Sequence, residues 1–172
     1  MLNKIPCAFL FTASCLTAAG SSAVFRVDDH VYRGRQPQQA DYALLAQMGI
    51  RTVLDLRGGS IHAPRERKEV EASGMSYVSI RLSGLFAPSY NQVSRILAVL
   101  EDPERGPVFV HCRRGDDRSG VVIACYRMAH DHWTNKQAMA EALEHGISGF
   151  EVLMRRFIRH FDPSRIHPPD AN

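Results

Sequence analysis

The sequence predicts an α/β fold: a mainly parallel central sheet flanked by helices. Three observations predict it. Strand-like apolar runs alternate with stretches of helical periodicity along most of the chain. Two helix starts are written as capping boxes, Ser89-Tyr90-Asn91-Gln92 and Thr134-Asn135-Lys136-Gln137. Finally, an apolar run, Pro107-Val108-Phe109-Val110, passes through a short loop into an almost wholly apolar stretch from Val121 to Met128. That strand–loop–helix order belongs to a sheet whose strands are covered on both faces.

Taken in order, residues 24–33 read as a hairpin-like lead-in with Asp28-Asp29 at its turn. Pro37 can open a helix that carries Leu44, Leu45 and Met48 on one face, with Gly49 as its stop. Thr52-Val53-Leu54-Asp55-Leu56 is a strand ended by Gly58-Gly59, and residues 66–72 form a short charged helix stopped by Gly74. A strand follows over 77–82. The first capping box then opens a helix with Val93, Ile96, Leu97 and Leu100 at i, i+3, i+4 and i+7. After strand 107–111 and its loop, a helix from Arg118 to about Ala129 is apolar nearly all round, so it should run through the core. The second capping box starts another helix. Phe150, Leu153, Met154, Phe157, Ile158 and Phe161 mark a last amphipathic one, with Arg155, Arg156 and Arg159 on its wet side. No repeat or second domain is visible.

At 172 residues, 45% hydrophobic and 23% charged, the chain has the composition of one globular domain. A formal charge of +3 without any long Lys/Arg run argues against a nucleic-acid partner and suits an anionic substrate. The first segment differs in kind. Lys4 precedes an apolar stretch over 5–16 and then small residues over 17–23, the order of a secretory signal peptide with Ser21-x-Ala23 as its cleavage site. The expected domains are therefore a signal over 1–23 and a catalytic domain over 24–172. The apolar run is too short to span a bilayer comfortably, so no stable membrane insertion is expected after cleavage, and the mature chain should be periplasmic or secreted; an uncleaved anchor or lipoprotein is the alternative reading of this segment. Cys7 and Cys15 fall in the signal, which leaves Cys112 and Cys125. A helix starting near Arg118 separates those two by about 10 Å along its axis, too far for a disulfide.

The chemistry concentrates in His111-Cys112-Arg113-Arg114-Gly115-Asp116-Asp117-Arg118-Ser119-Gly120. A loop between a strand and a helix N-terminus points amides and the positive end of the helix dipole at an anion. Arg118 can add two parallel charge-assisted hydrogen bonds to a phosphate. The same field stabilises a thiolate: a free thiol of pKa near 8.5 is only a few per cent ionised at neutral pH, and helix N-termini and cations lower it. Cys112 could then attack phosphorus in line and form a phosphocysteine for water to hydrolyse, while Ser119 hydrogen-bonds the departing sulfur. Gly115 permits a backbone angle closed to most side chains. Neither a metal nor a cofactor is called for.

His-Cys-x5-Arg-Ser-Gly resembles the active-site loop of the cysteine-dependent protein tyrosine phosphatase superfamily, and the compact size resembles its dual-specificity branch. Tyr32-Arg33-Gly34-Arg35-Gln36-Pro37 and Val53-Leu54-Asp55-Leu56-Arg57 are similar to segments of bacterial and fungal members, so the likeness covers about 30–160. The resemblance implies that Cys112 is the nucleophile, Arg118 the phosphate clamp and Ser119 the helper in phosphoenzyme breakdown, with phosphorylated proteins or small phosphomonoesters as substrates. One departure stands out. Members usually carry a general-acid Asp some twenty to forty residues before the Cys, and here Ser83-Gly84-Leu85-Phe86-Ala87-Pro88-Ser89 has no carboxylate.

Asp117, immediately before the Arg as in some phosphoinositide-type members, is the favoured acid, with Asp102 and Asp116 as alternatives; Asp116 and Asp117 could equally orient loop amides or cations. Arg113 and Arg114 read either as binders of a second phosphate, giving, with Asp117, a phosphoinositide or inositol-polyphosphate phosphatase, or as solvated loop charges. A phosphate-binding module without turnover is the reading from another class. Sulfur transfer and arsenate reduction also use Cys loops, though the sulfur transferases' loop is typically one residue shorter. Arg57 reads as structural or as lining the cleft. His130-x-His132 has the spacing of a metal pair but follows a helix end, where cations suit the dipole. Asp55, inside a strand, has no explanation in the sequence.

Overall fold

The computed structural model describes residues 24–59, 63–149 and 152–167. The expected signal segment, 1–23, lies outside them, as does Phe150. Five strands make one sheet in the order β1-β2-β5-β3-β4. They are β1 (Val24–Arg26), β2 (Val31–Arg35), β3 (Thr52–Asp55), β4 (Ser76–Ser79) and β5 (Val108–Cys112). β1 pairs antiparallel with β2 through the Asp28-Asp29 turn, where Asp28 Oδ1 accepts hydrogen bonds from the amides of His30 and Val31, each 2.7 Å long. Every other pairing is parallel. The fold is therefore the predicted mainly parallel α/β sheet.

β5 is the middle strand and is buried along its whole length. Its side chains alternate between two cores, as the period of two requires. Val108, Val110 and Cys112 face the larger core, shared with α3 (Tyr90–Leu100), α4 (Asp117–Ala129), α5 (Asn135–Glu144) and α6 (Val152–His160). Phe109 faces the smaller one, with Tyr42 of α1 (Gln39–Gln47) and Val70 of α2 (Ala63–Ala72). Both predicted capping boxes form: the Ser89 and Thr134 side chains accept from the amides of Gln92 and Gln137. α4 buries ten residues and runs through the core as predicted.

Three expectations are corrected. In α1 the buried residues are Asp41, Tyr42 and Leu45, while Leu44 and Met48 are exposed. Asp41 turns inward because its carboxylate accepts from the Gln38 amide (2.8 Å), closing the helix N-terminus and rotating the apolar pair away. In α6 Leu153 is exposed, whereas Arg155 is half-buried with its Nε shielded from water. Element ends shift by one to three residues, as where α2 begins at Ala63.

Candidate active site

Parallel strands present their C-terminal ends to one side of the sheet, and the residues that follow β5 and β3 meet there. Cys112 is the last residue of β5 and is paired with Arg35 of β2. Residues 113–116 turn the chain into α4, whose first turn holds Asp117, Arg118 and Ser119. Gly115 takes φ +88°, and a Cβ there would sit 2.7 Å from the Arg35 nitrogen and the Gly34 carbonyl carbon. Only glycine lets the loop lie this close to β2.

The sulfur sits at the foot of the loop. The Gly115 amide donates to Cys112 Sγ at 3.2 Å, and Ser119 Oγ lies 3.5 Å from it. Above is a cleft of about 600 Å³ lined by Gly84, Leu85, Cys112, Arg113, Arg114, Asp117 and Arg118. Three guanidinium groups against one carboxylate make it an anion site. Leu85 gives the cleft an apolar edge: it is 72% exposed, on a turn where Ser83 Oγ accepts from the amides of Leu85 and Phe86.

Residues 14–159 match a protein family described as a DSP-PTPase phosphatase fused to NAD+ kinase. The chain belongs to this phosphatase family. A curated relative, the dual specificity protein phosphatase TpbA of Pseudomonas aeruginosa, is 29% identical over 151 residues, which cover 84% of this chain and 66% of TpbA. The chain thus spans slightly under two thirds of that relative's length. The fold is shared with the catalytic domain of the PP-IP phosphatase SIW14 of S. cerevisiae, solved with citrate (TM-score 0.73, 22% identity, 83% of this chain and 87% of that one). It is shared too with TpbA solved with pTyr (TM-score 0.70, 20% identity, 87% and 95%).

Within this phosphatase domain the predicted residues fall into two groups. Cys112, Arg113, Arg114, Asp117 and Arg118 line the cleft, with Gly115 and Ser119 against the sulfur. Asp116 turns aside, toward Gly146 in the turn after α5, and burial pushes its carboxyl above the ordinary value. Asp117 Oδ1 accepts from the Ser148 amide (2.8 Å) and Oδ2 from Arg114. Asp102 lies elsewhere, ion-paired to Arg105 at 3.0 Å. Cys112 and Cys125 are both free, and burial pushes the Cys125 thiol up.

Sequence reading missed the buried charges around the loop. Asp55, at the end of β3, takes a bidentate grip from Arg57 (2.8 and 3.1 Å) and a hydrogen bond from the Tyr77 hydroxyl (2.9 Å). Arg57 also bonds Glu66, which accepts from the Tyr42 hydroxyl at 3.1 Å. His111 Nε2 lies 3.0 Å from Glu66 Oε1, at an angle outside hydrogen-bond geometry. Asp55, Glu66 and His111 form the one cluster of potential metal ligands among the described residues, and Arg57, bonded to both carboxylates, already supplies its cation. His130 instead stacks on Tyr126 at 4.8 Å. On the other side of β5, Arg33 is also fully buried. Its signal was available: β2 alternates, and Arg33 shares a face with the fully buried Val31.

Proposed function

We propose that this chain is a cysteine-dependent phosphomonoesterase acting on phosphotyrosine and, with a shallower fit, on phosphoserine or phosphothreonine. The observation that carries the reading is the Cys112 sulfur under an amide, at the foot of a cleft lined by three arginines. In the first step the thiolate attacks phosphorus, an S–P bond forms and the P–O bond to the leaving group breaks. Arg118 holds the equatorial oxygens, and Asp117, the acidic side chain in the cleft, enters the step as the carboxylic acid and gives its proton to the leaving oxygen, becoming a carboxylate. Water then attacks phosphorus, passing its proton to the Asp117 carboxylate; the S–P bond breaks, phosphate leaves and the thiolate re-forms, hydrogen-bonded by Ser119. Aryl-phosphate hydrolysis tests this: Cys112→Ser should lose at least about a thousandfold in kcat. Equal rates would remove the nucleophile, and binding without turnover by the wild type would leave a phosphate-binding module.

Asp117 must release Arg114 to act as an acid. Asp117→Asn should therefore slow alkyl phosphates more than activated aryl phosphates, by about 10²-fold or more. An equal effect on both would assign it a purely structural role. A second reading rests on Arg113 and Arg114, which add positive charge beyond what one phosphate needs. It makes the substrate an inositol polyphosphate; SIW14, whose fold the chain shares, is named an inositol diphosphatase. A panel of phosphopeptides and inositol polyphosphates compared by kcat/KM separates the two. Export through residues 1–23 is part of the proposal, and recovery of Met1-initiated protein from the cytosol would refute it.

A further inference from the structure

Beneath the loop, Arg33 of β2 donates from Nη2 to the Gly115 carbonyl at 3.0 Å. The Gly115 amide in turn donates to Cys112 Sγ at 3.2 Å. One residue is therefore held at both ends, its carbonyl by a buried cation and its amide by the sulfur. Gly115 is also the position where φ +88° and the approach to β2 leave no room for a side chain. The second arm of the guanidinium is under-used: Nη1 has no hydrogen-bond partner among the described residues, and Glu141 Oε1 of α5 stands 3.9 Å away. Arg33 is 1% exposed, so water does not screen what Glu141 leaves. Burial lowers its pKa, and the charges of Glu141, Cys112 and Asp116 work against that.

We propose that Arg33 is a positioning residue for the anion loop: it grips the Gly115 carbonyl so that the Gly115 amide stays on the sulfur, and its incompletely neutralised charge favours the Cys112 thiolate from below. The inference rests on Cys112 being the reactive thiol. Other charges surround that sulfur too. Arg113, Arg114, Arg118 and Asp117 line the cleft over it, Asp116 of the same loop turns toward Gly146, and His111, paired with Glu66, lies on the opposite face of β5. Arg35 is the cross-strand neighbour on β2. The variants below leave all of these in place.

The test is the pH dependence of iodoacetamide alkylation of the full-length chain, read on the Cys112 peptide by mass spectrometry. Alkylation requires no turnover, so failure of the phosphatase reading, seen as inactive wild type, stays distinguishable. Arg33→Met should raise the alkylation midpoint by about one pH unit and lower kcat on aryl phosphate roughly 10- to 100-fold. Arg33→Lys, which keeps the charge but loses the fork, should restore the midpoint and only part of kcat. Glu141→Gln removes the competing anion and should move the midpoint down. Loss of packing alone cannot produce opposite shifts from the two ends of one ion pair. Should Arg33→Met fail to fold, Arg33→Lys and Glu141→Gln still decide the matter. A midpoint unmoved in Glu141→Gln, or full kcat in Arg33→Lys, would overturn the proposal.

Discussion

Two buried arginines flank the central strand, and they are kept in opposite ways. Arg57, after β3, is saturated: Asp55 and Glu66 both bond it, and Tyr77 and Tyr42 complete the carboxylates' shells. Burial opposes its charge, yet the Asp55 hydrogen bonds and the two carboxylates outweigh burial and raise its pKa. Arg33, on β2, has one hydrogen bond to a carbonyl and a distant carboxylate, and its pKa is lowered. A guanidinium neutralised by its own partners fastens strands and projects little field. One left partly unpaired stays costly to bury but has charge to spare for the neighbouring sulfur.

The contrast breaks hardest at Arg57. Arg57→Met strands two buried carboxylates and should cost about 3–5 kcal/mol, which calorimetry would record as a melting point lower by roughly 6–20 °C. Gly115→Ala strikes where the Arg33 grip ends: the left-handed φ alone costs about 1–3 kcal/mol, and the contact with β2 should lift the loop and lower kcat in the same assay. Tyr77→Phe removes one bond to Asp55 and should cost about 1–2 kcal/mol by urea unfolding.

Acid sharpens the difference. Burial alone would raise the Asp55 carboxyl, but the Arg57 hydrogen bond and the His111 and Arg57 charges hold it below its usual value. Its stabilisation is complete above the ordinary carboxylate pKa of about 3.9 and is lost as pH falls through the folded value. The melting point should therefore drop below about pH 4, and Asp55→Asn should flatten that fall. Asp116 is the reverse case: burial raises it, so stability is lost as pH rises through its range. Asp116→Asn should gain no more than a few tenths of a kcal/mol at pH 7, because solvent screens this partly exposed group.

What the sequence revealed was local. The two capping boxes each close within four residues, and the strand–loop–helix around Cys112 spans little more than twenty, so neighbours in the chain are neighbours in space. Leu44 and Met48 misled because an inward Asp41 capping bond outranked their apolar spacing. Asp55 stayed opaque because Tyr77 and His111 lie far along the chain and meet it only when β3 pairs with β4 and β5. Arg33 is the instructive case: its face was readable from the alternation of β2, its target was not.

The hold of β2 on the loop also bears on how tightly an anion can bind. The Arg113 carbonyl accepts from the Gln36 amide, the Gly115 carbonyl from Arg33, and Asp117 from Ser148, so the cradle is clamped at three points, to β2, to the residue after it and to the loop after α5, before any phosphate arrives. The conformational freedom of those residues is surrendered once, during folding, rather than at each encounter. A ligand therefore meets donors already facing inward, and little of its interaction energy goes into ordering the site.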